Sequence, residues 1–171
     1  MDGYKMKKKL EREAIHGFIS IYNVNHPIPL RLLYLQERPD AVLEDTQRRK
    51  LGMEITHLYY NQAEAQLLLN GEDTGQAAKP SLLHWVDALN ERIYVKEQKK
   101  KDYSQAYPVS LLIRNVSPLF GMSDVLRVKD SIRKPKETFV DVWLLSKDGS
   151  DEWLLYNLDN LLPWNAKETW I

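Results

Sequence analysis

Apolar side chains recur at steps of three and four from about residue 4 to residue 22, with Leu10, Ala14, Ile15, Phe18, Ile19 and Tyr22 on one side, and predict an amphipathic helix. Glu11 stands inside that stripe. At about 100° per residue it projects between Ala14, Ile15 and Phe18, whereas Glu13 points away. A carboxylate facing a core needs a partner, so Glu11 is expected to be ion-paired, at the stripe's edge, or turned toward a polar cleft. Pro27 and Pro29 break the next segment into a connection. Arg31 to Glu37 fits either a strand or a short helix. From Ala41 the chain reads as extended, Thr46 to Lys50 as a turn, and Leu51 to Leu58 as a second strand. Alternation there places Glu54 and Thr56 on one face, and Met53, Ile55 and His57 on the other.

Asn61 to Leu69 has a helical pattern, and Asn70 to Pro80, with two glycines, reads as a flexible loop. Ser81 is a good N-cap for the clearest helix in the chain, whose stripe is Leu82, Val86, Leu89 and Ile93, flanked by Trp85. Continued through two more turns, the stripe meets Lys96, Lys100 and Tyr103, so the core-facing side turns cationic. Lys99 and Lys101 fall off that line and read as surface lysines. Lys96 either snorkels, pairs with the last carbonyls of the helix, or faces a site. Val109 to Arg114 is a short apolar run expected of a strand covered on both faces. Ser117 to Arg133 predicts a short helix with Ser123 as N-cap. Phe139 to Leu145 and Trp153 to Leu158 predict a hairpin about Lys147-Asp148-Gly149-Ser150, and the tail from Leu161, with Pro163 and two tryptophans, is expected to pack onto the body. The order predicts an α/β fold with a mixed central sheet flanked by helices, in a single domain of residues 1–171.

Composition narrows the chemistry. At 171 residues, 43% apolar and 28% charged, the chain suits one globular domain, and no apolar run nears the roughly 18 residues of a membrane span. The basic start is not followed by an apolar segment, so no secretory signal is expected. Without cysteine there is no disulfide framework, thiolate ligand or thiol nucleophile, and a cytoplasmic setting is expected. Lys plus Arg and Asp plus Glu are both 24, so nucleic-acid binding would depend on local patches at Lys5–Lys9, Lys96–Lys101 and Arg127–Lys136. His16, His26, His57 and His84 have no spacing that makes a zinc site, and no Gly-rich phosphate loop or His-Glu-x-x-His is present.

The stretch from Arg38 to His57 holds the best functional lead. Two carboxylates on neighbouring strands, Asp40 and Glu54, make a hard-oxygen site of the kind Mg²⁺ accepts, with water and phosphate oxygens in the remaining positions. Glu44, on the same strand face as Asp40, and Asp45, in the turn, are rival acids.

Pro39-Asp40, then Glu54-Ile55-Thr56, then a helix turning to lysines before a buried strand, resembles the PD-(D/E)XK nuclease superfamily over roughly residues 8 to 115. The resemblance implies a restriction endonuclease-like α/β/α sandwich and a metal-dependent nuclease acting on DNA, with RNA as a second candidate substrate. Asp40, Glu54 and the backbone carbonyl of Ile55 would ligate Mg²⁺ or Mn²⁺, and Glu11 would hold a water or a second metal. Thr56 stands where the usual pattern has lysine, and divergent members recruit a lysine from the following helix. Lys96 is the natural substitute here and Lys100 the second. Homodimerisation is common among small nucleases of this kind, and five tryptophans and nine tyrosines leave room for an aromatic interface. The rival is a catalytically inactive module on the same fold that binds nucleic acid or a protein.

Overall fold

The computed structural model describes residues 2–58, 82–101, 106–117, 119–133, 135 and 138–158. The expected helix at 61–69, the loop at 70–80, Ser81, Tyr103 and the tail from Leu161 lie outside the described residues. Helix α1 spans Gly3–Asn25, and three strands follow: β1 (Leu30–Leu35), β2 (Ala41–Asp45) and β3 (Lys50–Leu58). Helix α2 (Leu82–Lys100) precedes β4 (Val109–Asn115). The short helix α3 (Met122–Arg127), a 3-10 turn at Lys129–Ser131, and strands β5 (Val142–Ser146) and β6 (Leu154–Asn157) complete the described elements. The ambiguous segment after Pro29 is thus a strand. Among the described residues no helix is long and apolar enough to cross a membrane.

The six strands form one sheet in chain order, β1-β2-β3-β4-β5-β6. β1 to β3 run antiparallel, β3, β4 and β5 are mutually parallel, and β6 turns back antiparallel to β5. Period two divides the sheet's side chains between two cores. Met53, Ile55, Leu112, Trp143 and Leu145 pack with Ala14, Ile15 and Phe18 of α1. Leu58, Leu111, Ile113, Val142 and Leu144 pack with Trp85, Val86, Leu89 and Ile93 of α2 and with Met122, Val125 and Leu126 of α3. Helices therefore cover both faces of the mixed sheet, and β4 is buried on both, as a continuous apolar run requires.

Ser123 does not cap α3. Gly121 occupies the N-cap position, its amide bonded to Asp124 Oδ2 at 2.9 Å, while the Ser123 amide and hydroxyl both donate to Asp148 Oδ1. A close contact outside the helix outbid the local cap preference.

Two local devices position Asp40. The β1–β2 connection closes through Gln36 N–H to the Asp40 carbonyl at 2.9 Å, and Lys8 Nζ ties it to α1 by donating to the Gln36 carbonyl at 2.7 Å. Pro39 lies over Gly52 of β3 so closely that a Cβ there would stand 2.7 Å from Pro39 Cγ. Glycine is required at position 52 by this approach.

Candidate functional site

β2 is shorter than β3. Its pairing ends at Ala41 opposite Met53, whereas β3 continues beside β4 as far as Leu58 opposite Asn115. From Glu54 onward one edge of β3 has thus lost its strand neighbour. Asp40, the residue just before β2, fills the first gap: its Oδ2 accepts the Ile55 amide at 2.8 Å. In a strand the amide and carbonyl of one residue face the same side, so the Ile55 carbonyl is directed to the same vacated edge.

Glu54 lies on the α2 face of β3, opposite to Met53 and Ile55, as alternation requires. Burial of Trp85, Leu89 and Ile93, each contributing roughly 1.5–3 kcal/mol, anchors α2 against that face. Lys96 follows one turn later. Its Nζ donates to Glu54 Oε2 at 2.9 Å and stands 3.6 Å from Asp40 Oδ2. Asp40 and Glu54 are only 3% and 1% exposed, so their charges are held where water screens them poorly. Taken alone, two carboxylates and one ammonium carry a net charge of −1, which one divalent cation would more than offset.

These groups line a cleft of about 200 Å³ whose other walls are Lys7, Glu37, Arg38 and Lys99. Four basic residues thus surround two buried acids in a molecule of zero formal charge. Lys99 and Lys7 lie in two of the expected basic runs, but their place at the acid cleft was not legible. Lys99 follows Lys96 by three positions rather than four, and the cleft lies on that side of the helix. Lys100 is half-buried and lines neither this cleft nor the neighbouring cavity.

Glu11 is buried, as its place in the apolar stripe implied, and is ion-paired. Lys8 Nζ lies 2.9 Å from its Oε2, and Lys7 Nζ 3.6 Å from its Oε1. Burial pulls the Lys8 pKa down, but the hydrogen bond to Glu11 and the charges of Glu11, Glu37 and Asp40 outweigh it, and the net shift is upward. Glu11 lines the cavity next to the acid cleft rather than the cleft itself. Among the described residues no group of three or more His, Cys, Asp or Glu converges as a metal cluster.

The rival acids are engaged elsewhere. Glu44 Oε1 accepts from Arg31 Nη2 at 2.7 Å. Asp45 builds the β2–β3 turn, accepting the Arg49 and Gln47 amides and the Arg49 side chain; the Arg49 backbone bond is the main reason its carboxyl is held below the usual range. His57 projects to the face opposite Glu54, where burial, then the charges of Arg114 and Lys96, push its pKa down to about 4 against opposing effects of a Leu10 backbone hydrogen bond and Asp40.

Comparison of the chain with models of protein families, with curated proteins and with solved structures finds no match. The geometry of Asp40, Glu54 and Lys96 therefore has to carry the functional reading by itself.

Proposed function

We propose that the chain is a metal-dependent phosphodiester hydrolase acting on DNA. The observation that carries the reading is the single ammonium of Lys96 within reach of two buried carboxylates, Asp40 just ahead of β2 and Glu54 within β3, under a rim of further cations. Asp40, Glu54 and the Ile55 carbonyl form an all-oxygen donor set of the hard type that Mg²⁺ and Mn²⁺ prefer, and water and phosphate oxygens would complete it. When bound, the ion would supply Lewis-acid polarisation of the phosphate and a more acidic water.

The chain's own residues do the rest. Lys96 has three donor protons and a position beside both acids, suited to orienting the attacking water or stabilising charge on a non-bridging phosphate oxygen. Lys7, Arg38 and Lys99 would hold flanking phosphates and raise local substrate concentration. Glu11 acts through Lys8, whose bond to the Gln36 carbonyl steadies the turn that presents Asp40. Lys100, one turn beyond Lys96 and outside both cavities, would at most meet the outer backbone of the substrate.

The test is hydrolysis of single- and double-stranded DNA and RNA by the purified protein with Mg²⁺ or Mn²⁺. Cleavage that stops on chelation is expected; no cleavage of any of these substrates would contradict the reading. One observation favours a second reading, an inactive nucleic-acid-binding module: at 2.9 Å the Lys96 ammonium already neutralises Glu54 without a metal.

A further inference from the structure

A second cavity, of about 290 Å³, adjoins the acid cleft across Lys7, Lys96 and Lys99, which line both. Its walls differ in kind. The acid cleft is lined by charged side chains alone, whereas the neighbour adds the aliphatic Leu10, Ile55 and Val95 and the hydrogen-bonding Thr56, His57 and Arg92, with the ion-paired Glu11 as its one carboxylate. A strictly ionic cleft therefore opens beside a pocket with apolar walls and a few polar groups, the usual composition of a small-ligand site. A nucleotide has the same two-part chemistry, with a charged phosphate next to a base that has apolar faces and polar edges.

Size restricts what enters. Small-molecule pockets run from roughly 300 to 1,000 Å³, so this one is at the lower end and suits a single nucleoside rather than a stacked base pair. A base reaches such a pocket only when it has left the stack. Thr56 contributes to the space, because a lysine at that position would project a longer chain from the same wall. The wall's positive charge comes from Arg92 and the shared lysines, and the Glu11 carboxylate on the same wall is held by its ion pairs with Lys8 and Lys7.

We infer that this cavity receives one unstacked nucleotide beside the scissile phosphate, so that the substrate is single-stranded or distorted at the cleavage position rather than a continuous duplex. This inference rests on the phosphodiesterase reading, but its test does not need metal or turnover. Fluorescence anisotropy in EDTA compares three labelled DNAs of equal length: a single strand, a duplex with one bulged nucleotide, and a blunt duplex. The single strand and the bulged duplex are expected to bind about tenfold more tightly than the blunt duplex, the scale of one base stacked or seated on protein. Val95→Trp, at a partly exposed helix position, fills the cavity and is expected to remove that preference while Mn²⁺ binding, followed by calorimetry, is unchanged. Equal affinity of the wild type for the blunt duplex, or a preference that survives Val95→Trp, would overturn the assignment. A preference retained by a protein that neither binds Mn²⁺ nor cuts would remove the hydrolase reading and leave the nucleotide pocket standing.

Discussion

Asp40 Oδ2 accepts the Ile55 amide proton at 2.8 Å, so a side chain completes the β3 ladder at the point where β2 stops. The same carboxylate has two duties, one structural and one electrostatic, and they separate on substitution. Asp40→Asn keeps an acceptor for the Ile55 amide and is expected to unfold within about 1 kcal/mol of wild type while metal-dependent cleavage falls about a hundredfold or more. Asp40→Ala leaves the buried amide without a partner and should cost about 1–3 kcal/mol in addition. Urea denaturation beside initial cleavage rates distinguishes the two; equal destabilisation by both variants would mean that charge, not the hydrogen bond, holds Asp40 in place.

Lys96 neutralises buried acids, and its loss is expected to weaken the fold. A fully buried pair broken on one side loses roughly 3–5 kcal/mol, and since the Lys96 side chain keeps 16% exposure the expected cost of Lys96→Met is nearer 2 kcal/mol. With the Lys96 ammonium gone, Asp40 and Glu54 should also bind a divalent cation more tightly, so Mg²⁺ should raise the variant's melting temperature more than that of wild type. Cleavage should nevertheless be lost. A Mg²⁺-induced shift no larger than the wild-type one would argue that Asp40 and Glu54 do not share a cation.

Gly52 holds the turn that carries Asp40 by letting Pro39 lie against the backbone of β3. A methyl group there meets Pro39, Tyr107 and Val109 at once, at 2.7 to 3.0 Å. Gly52→Ala is expected to cost about 1–3 kcal/mol by overpacking and to reduce cleavage by more than that loss of folded protein explains, because Asp40 moves with Pro39. Activity measured well below the melting temperature checks this; full activity in a destabilised variant would show that the turn tolerates displacement.

His57 gives the fold a pH dependence. Its folded pKa of about 4 lies below the ordinary 6.5, so the unfolded chain binds the extra proton between those values and the folded chain does not. Its contribution to stability is complete above pH 6.5 and is lost as pH falls through this window, on the order of 3 kcal/mol in all. Arg114 and Lys96 add to the effect and Asp40 opposes it. Denaturation at several pH values should show this slope in wild type and a flatter one in His57→Gln; identical slopes would place the dependence on other groups.

Local periodicity made the strands after Arg38 legible, and the resemblance, with its expectation of a lysine recruited from the following helix, joined Lys96 to Asp40 and Glu54. Alternation assigned Glu54 to the face opposite Met53 and Ile55, and the stripe through Leu89 and Ile93 led to Lys96. Lys7 and Lys99 fall in two of the basic runs expected to meet nucleic acid, but their place beside the acids was hidden because it depends on where α1 and α2 cross the open edge of β3, and that edge exists only because β2 ends early. No local pattern encodes such a relation between segments. Gly52 was silent for a similar reason: its requirement arises from Pro39, thirteen residues earlier in the chain, and from Tyr107 far beyond it. At α3 the Asp148 contact displaced Ser123 from the cap that its residue type favoured.

The most direct measurement is the rate of DNA cleavage by wild type and by Glu54→Ala at the same Mg²⁺ concentration, with chelated controls. The account predicts Mg²⁺-dependent cleavage by wild type and a fall of about a hundredfold or more in the variant. Cleavage that persists undiminished in folded Glu54→Ala, or that ignores chelation, would contradict it.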